Sequence, residues 1–555
     1  MKKGLVFRIV YLVFAGLFIL SPVTADESAL WASTSLTKVL VSDRPGTETD
    51  SPLQLSGAKG EVVSGQVVFS PEKSLDAVTC AMSDLEHERG NAVIPSSAVK
   101  LQWVRYIDVQ KNSSRIPPDE LDIIAPNPMP DPFWEDITIP VKVGTYSILD
   151  NSIYISYRSQ PLWIEIDVPR SVPAGNYAGT VSVTGGSESA SLPVRLHVRD
   201  FEIPEERHQS VVTWWNLQAR GFEPVEPYSD GYWDRLRHFA EFVVAHRQTD
   251  AGIVPLSIVE EKGDSSSGYT YDTSRLERYA ETVFDAGIRQ IHLHSVGMLE
   301  PADTISGVGR GVLNRNRQVT VNEEGMRRLP AIEEMAKRRG WTGRFLTGIS
   351  DEPFMHVEES YASVVEQVHE TAPTIRIIEA VEAEYLGRLD IYCPKINHLH
   401  MWYDTYKRHQ QEGSELWYYT SRIPVGRYPN RFVDQSLLKM RVQFWTLYLY
   451  DLDGFLFWAL NSPYTDNPYS EEAIGRNSPL GNPVIAYPGE NGLVGSLRFS
   501  AQRDGLEDYE YLWVLEDRLR ALKERVGSDA HWLDPRQRPL ELCRRVIWDF
   551  CGYTR

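Results

Sequence analysis

The chain has 555 residues, more than a single hydrophobic core serves, so two or three domains are expected. Its formal charge of −19 makes a surface that repels phosphate backbones, which argues against nucleic-acid partners. Four cysteines are too few for a disulfide scaffold, and only Cys543 and Cys551 are close enough in sequence for a local bridge.

At the N-terminus, Lys2, Lys3 and Arg8 flank an apolar run at residues 9–20, and Val23-Thr24-Ala25 follows with small residues. This is the layout of a secretory signal, so residues 1–25 are expected to be removed and the remainder exported, to the periplasm or outside the cell. The run is short for a membrane span, and membrane contact is expected only through an uncleaved signal.

Residues 26–205 alternate with period two. In Leu162-Trp163-Ile164-Glu165-Ile166-Asp167-Val168 the aliphatics fall on one face and the acids on the other, and Val194–Val198 repeats the pattern. Earlier strands are predicted at 61–69 and 99–109, with no long helix, which points to a β-sandwich. From 206 to 555 short apolar strands alternate with amphipathic helices. Eight strands are predicted at 211–215, 249–254, 290–294, 344–349, 375–379, 389–393, 415–419 and 453–458. Helices are predicted between several of them, at 234–245, 274–286, 325–339 and 358–371. The fold class is therefore multidomain β plus α/β: an N-terminal β-sandwich, then a (β/α)8 TIM-type barrel with a C-terminal helical extension. The extension is a helix at 504–526, where Leu512, Leu515, Leu519, Leu522 and Val526 mark one face, expected to close the barrel from outside.

Active groups of such barrels lie at the strands' C-terminal ends. Asp351 and Glu352 follow the fourth strand directly, and Pro353 stops further pairing there. Adjacent Cα atoms are ~3.8 Å apart, so the two acids approach a substrate from one wall. Most glycosidases place two carboxylates on opposite sides of the sugar. A neighbouring pair suits another division of labour: one acid protonates the leaving oxygen, while the other holds a 2-acetamido group whose carbonyl oxygen attacks the anomeric carbon. Repulsion from Asp351 would raise the pKa of Glu352, as a general acid needs.

Aromatic side chains at strand ends offer platforms for a sugar ring: Trp214, Trp215, Trp417, Tyr419 and Trp458. Tyr419 could also hydrogen-bond an acetamide carbonyl. His294, Arg427, Asn430 and Asn461 are predicted substrate contacts. Glu379, at the end of the fifth strand, is a further contact and the nucleophile if retention were of the ordinary kind. His292-Leu293-His294 and His398-Leu399-His400 would each place two imidazoles on one strand face, so a metal-dependent hydrolase is the rival chemistry. No metal or cofactor is needed for proton transfer with an acetamide nucleophile, and none is predicted. Arg503, Asp504, Glu507 and Asp508 read as a helix start, with the acids capping it.

Several segments together resemble glycoside hydrolase family 123, the N-acetyl-β-galactosaminidases and their relatives. They are Gly60–Gln66, Pro161-Leu162-Trp163, Pro173–Gly179, Ser350-Asp351-Glu352-Pro353, Leu416–Tyr419, Gly454–Trp458 and Arg503–Leu512. The resemblance implies a sandwich followed by a barrel and substrate-assisted retaining hydrolysis of N-acetyl-β-hexosaminides, N-acetylgalactosamine first among them. It gives Asp351 the acetamide and Glu352 the acid and base roles, with a glycan as partner. The chain departs from the family at Asn461-Ser462-Pro463-Tyr464, a pocket-shaping turn without a Trp. Two other classes stand beside this reading: a barrel glycosidase or metal-dependent hydrolase using other groups, and a non-catalytic sugar-binding protein.

Overall fold

The computed structural model describes residues 29–46, 51–148, 153–299, 318–353, 357–384, 386–475, 478–490 and 492–552. The leader expected at residues 1–25 lies outside the described residues. No helix among them is long and apolar enough to cross a membrane.

The period-two segments pair into two sheets. One is antiparallel, in the order Ala29–Thr34, Val62–Ser70, Gln160–Asp167, Val99–Val109, Asn127–Phe133. The other runs Leu53–Lys59, Glu188–Glu202, Gly175–Gly185, Leu75–Met82, Ile139–Val141. Val67, Leu162, Ile164 and Ile166 from the first meet Val181, Val183 and Leu196 from the second in a shared core. The strands expected at 61–69 and 99–109 are present. Of the acid face of the strand at 160–167, Asp167 is exposed as expected but Glu165 is not. Glu165 is buried, because a helix from the far end of the chain lies over it.

Eight parallel strands follow, at the eight expected places: β1 (Ser210–Thr213), β2 (Asp250–Val254), β3 (Gln290–Leu293), β4 (Phe345–Thr347), β5 (Arg376–Val381), β6 (Ile391–Pro394), β7 (Glu415–Thr420) and β8 (Gly454–Phe457). Their spatial order is β1-β8-β7-β6-β5-β4-β3-β2. Bonds from the Thr249 amide to the Val211 carbonyl, 2.9 Å, and from the Trp215 amide to the Gly252 carbonyl, 3.0 Å, bring β1 and β2 together, so the sheet is a nearly closed barrel. The helices are α1 (Asp230–Ala245), α2 (Ser274–Asp285), α3 (Glu323–Arg339), α4 (Glu358–Thr371), α5 (Ile396–Met401), α6 (Tyr403–Gln411), α7 (Leu437–Tyr450), α8 (Glu471–Ile474), α9 (Leu497–Val526) and α10 (Gln537–Val546). Strict strand–helix alternation is broken once. Between β5 and β6 the described residues hold no helix, and the connection is too short for the helical crossover that parallel neighbours usually receive.

Alternation along the strands sorts their side chains. Phe455, Phe457 and Tyr418 face the helix layer, while Leu456, Trp417 and Tyr419 face the barrel interior.

The C-terminal helix does more than cover the barrel. Its first three turns are buried between sandwich and barrel. Arg503 reaches Glu165 at 2.8 Å and Ser64 at 2.6 Å, Glu507 accepts the Val62 amide at 3.1 Å, and Asp508 takes both ends of the Arg441 guanidinium. The expected helix start is thus a buried ion-pair network instead of a cap, because the helix begins earlier, at Leu497, under Ser496. Its far end is open: Leu522 and Val526, expected on the apolar face, are exposed. All four cysteines are unbridged. Cys543 sits on the inner face of α10 with its thiol toward the Trp445 carbonyl, which removes the local bridge to Cys551.

Candidate functional site

The strand β4 ends at Thr347, and Asp351 and Glu352 lie four and five residues beyond it. Both have positive φ, 58° and 45°. Left-handed backbone at two successive side-chain-bearing residues costs of order 1–3 kcal/mol each and persists only where the surroundings hold it. The holding group is Glu379 on β5. Its Oε2 accepts the amides of Ile349 at 2.9 Å and Ser350 at 3.0 Å, and its Oε1 accepts the amide of Asp351 at 3.0 Å. The Tyr361 hydroxyl, from α4, donates to Oε2 at 2.9 Å. The amide of Glu352 then bonds the Ala380 carbonyl at 3.0 Å, so both acids are strung along the end of β5.

Burial pushes the Glu379 carboxyl up to about 7, against the amides that favour its charged form and with the charge of Asp351 adding to the rise. At 2% exposure, with both oxygens engaged, Glu379 cannot meet a substrate. The expected contact and alternative nucleophile is a support of the turn.

Glu352 itself reaches the barrel mouth. Its Oε1 accepts the Tyr419 hydroxyl at 2.6 Å and lies 3.2 Å from the ammonium of Lys395, which is also ion-paired with Glu382. Burial, and secondarily the neighbouring Glu352, keep the Tyr419 phenol protonated and therefore a donor. Tyr419 was expected to meet an acetamide; its hydroxyl is instead turned to the acid. Lys395 and Glu382, at the ends of β6 and β5, went unnoticed in the sequence. Lys395 follows the apolar segment Ile391-Tyr392-Cys393-Pro394, the same strand-end position that singled out the acids.

Beneath the turn is a cavity of about 30 Å³ bordered by Trp214, His292, Ser295, Asp351 and Glu379. It is too small for a sugar ring, so a ring would bind above it. Trp214 stands half-buried at its edge, where Gly252 makes room: a Cβ there would come within 2.7 Å of the indole. His294 is exposed at the end of β3, and Trp458 is half-buried beyond β8 with its Nε1 3.3 Å from the Asn482 side-chain carbonyl.

Five other expected contacts lie elsewhere. Trp417 is wholly buried two residues deeper than Tyr419, packed so closely on Gly454 that a Cβ there would stand 2.5 Å from the ring. Period two gave its face but not its depth. Asn430 is fully buried, donating to the carbonyls of Ser421 and Pro424, both at 3.0 Å. Asn461 exchanges two hydrogen bonds with the backbone of Asn216 and so ties the loop after β8 to the loop after β1. Arg427 is exposed and leans toward Glu120, 3.6 Å away in the segment before the fifth strand of the first sheet. Trp215 faces the helix layer.

Neither histidine pair forms a ligand pair. His292 is buried with Nε2 3.2 Å from Asp250, whereas His294 is exposed. His398 and His400 lie on α5, not on a strand, so their spacing turns them apart. Among the described residues, no group of three His, Cys, Asp or Glu side chains is arranged to hold a metal ion.

The profile of the glycoside hydrolase 123 catalytic domain matches residues 209–515, and that of the glycoside hydrolase 123 N-terminal domain matches residues 31–185. The chain belongs to glycoside hydrolase family 123. A solved family 123 glycoside hydrolase from Clostridium perfringens, described for glycolipid glycan hydrolysis, has a similar fold. The TM-score is 0.68 at 16% identity, over 90% of each chain. A termite-gut GH10 xylanase with a bacterial Ig-like domain has a TM-score of 0.30 at 10% identity, over 63% of this chain and 90% of that one. That likeness is too loose to carry an argument. No curated protein matches the chain. Family 123 membership makes this a glycosidase with a carbohydrate substrate, and places residues 350–353 of the turn inside the catalytic domain.

Proposed function

We propose that this family 123 glycosidase is exported and removes terminal N-acetyl-β-hexosamine, N-acetylgalactosamine in the first place, by substrate-assisted retention. One observation carries the reading. Two consecutive carboxylates are held in left-handed backbone at the end of a barrel strand, inside the domain that defines the family. Carboxylates so placed share one side of a bound sugar, leaving the nucleophile to the substrate. The glycolipid glycans cleaved by the Clostridium perfringens relative are one source of such a terminal residue.

In this mechanism Asp351 accepts the acetamide N–H, and the acetamide oxygen attacks the anomeric carbon as the glycosidic C–O bond breaks. Glu352 gives its proton to the departing oxygen. Tyr419 and Lys395 both meet Oε1, so the transferred proton belongs on Oε2. The oxazolinium intermediate is opened by water, which returns a proton to Glu352 and leaves the configuration unchanged. Trp214 and Trp458 supply flat faces at the mouth. Glu379 is removed as an ordinary nucleophile by its burial and its engaged oxygens.

A panel of chromogenic glycosides tests this. The β-N-acetylgalactosaminide and β-N-acetylglucosaminide should be cleaved, with plain β-galactoside and β-glucoside at least 100-fold slower. Equal rates on plain glycosides would remove the acetamide from the mechanism. The leader is tested separately, by mass spectrometry of the exported protein: a mature chain beginning after Ala25 is expected, and one still beginning at Met1 would contradict export by cleavage.

A further inference from the structure

We propose that Glu379 is the positioning residue of the catalytic turn, and that its carboxylate must be ionised for Asp351 and Glu352 to stand in register with a substrate. The inference rests on the reading of those two acids as the catalytic pair.

The geometry is that of an anion coordinated by donors. Three successive amides, from Ile349, Ser350 and Asp351, converge on its two oxygens, and the Tyr361 hydroxyl completes the set. Successive amides can point the same way only where the chain turns sharply, which the positive φ values of Asp351 and Glu352 show it does. A neutral carboxyl serves the same donors less well. Its added hydrogen takes up one lone pair of an oxygen that already faces at least one N–H, and the bonds that remain lose their charge assistance. Protonation therefore weakens the anchor beside Asp351.

Every neighbouring element presents a group to Glu379. Asp351 stands in the turn and Tyr361 on α4, while the Cys393 thiol lies on β6. Across the small cavity are His292 on β3 and, behind it, Asp250 on β2. Burial, and secondarily the Asp351 charge, oppose ionisation, which brings the transition near neutrality, to about 7. Activity is thus expected to fall as pH drops through that region, for a reason distinct from the protonation of either catalytic acid.

Two variants of the full-length enzyme test this, with an aryl N-acetyl-β-hexosaminide as substrate. Glu379→Gln keeps one acceptor and puts an amide N–H2 in place of the other. It should lower kcat about 10–100-fold with KM changed less than threefold, and the acid limb near pH 7 should vanish from kcat/KM. Tyr361→Phe removes one donor to the carboxylate and leaves the backbone contacts, so the acid limb should move to higher pH at nearly full plateau rate. If Glu379→Gln does not fold, the Tyr361→Phe profile decides. A Glu379→Gln enzyme within twofold of the parent from pH 5 to 8, or a Tyr361→Phe limb that stays in place, would overturn the proposal. Glu352→Gln serves as the reference. If it retains parent activity, the catalytic pair itself is misassigned; if it is inactive while Glu379→Gln is normal, only the present inference fails.

Discussion

Trp214 and Trp417 show how much a residue's depth decides. Trp214 lies one residue past β1 and edges the small cavity at the mouth, whereas Trp417, on β7, is sealed in the floor. Trp417→Ala should cost about 3–5 kcal/mol of unfolding free energy, the usual range for emptying an aromatic core site, measured by denaturant titration. Trp214→Ala should instead raise KM several-fold while stability falls by a smaller amount; a KM identical to the parent's would take Trp214 off the substrate. Sequence patterning singled out Asp351 and Glu352 as candidates because a strand followed by acids and a proline is a local signal. It missed Lys395, whose value depends on where β7 delivers Tyr419, and it mistook Asn430 and Asn461 for substrate contacts because a buried amide bonded to backbone is written with the same letter as an exposed one. Glu379 was noticed for its position, but its role depends on amides from another strand's end. Its pH signature is readable as stability. A carboxyl raised to about 7 in the fold, above its unfolded value, makes the folded state hold the extra proton, so its contribution is lost as pH rises from about 4.5 to 7. His246, pushed down to about 3 by burial with Arg503 adding to the fall, slopes the opposite way below about 6.5, so the difference between two proteins is the cleaner measure. The stability of Glu379→Gln relative to the parent should improve by up to about 3 kcal/mol between pH 4.5 and 8. A constant difference would contradict the shift.

At the scale of elements, the eight barrel strands were legible because each is short, apolar and bounded by turn residues or a helix. The sandwich strands were legible through period two. The work of α9 was not. Its apolar stripe ran from Leu512 to Val526, of which Leu512 is buried but Leu522 and Val526 are exposed, whereas most of the buried part is the first half, whose charges are matched by residues hundreds of positions away. Long-range ion pairing has no local period. The most deeply buried of these joints is Arg498 with Asp131, both fully buried and joined by two bonds of 2.7 Å. Removing one partner of a buried pair strands the other's charge, so Asp131→Ala should cost about 3–5 kcal/mol. Unfolding monitored by tryptophan fluorescence checks this; a loss under 1 kcal/mol would show that the joint contributes little. Glu165 sets an acid limit at the same interface. Burial alone would raise its carboxyl, but Arg503, Lys100 and His246 hold it at about 2, so its stabilisation is present above about 4.5 and lost as pH falls toward 2.

Across the whole molecule, sandwich, barrel and α9 form a frame around two adjacent acids, Asp351, which is exposed, and Glu352, which is half-buried. The fold follows from family membership and from the sheets themselves, while the proposed chemistry rests on how those two residues divide the work. The most direct measurement is the rate of Glu352→Gln and Asp351→Asn on two 2-acetamido glycosides, one with an acidic phenol as leaving group and one with a sugar alcohol. General acid catalysis typically contributes ~10²–10⁴-fold. Glu352→Gln should lose that factor on the sugar leaving group and much less on the phenol, which departs with little protonation. Asp351→Asn should lose rate on both alike, since it weakens the support of the oxazolinium intermediate whichever group has left. Equal losses for Glu352→Gln on the two substrates, or parent rates for both variants, would contradict the assignment of the pair.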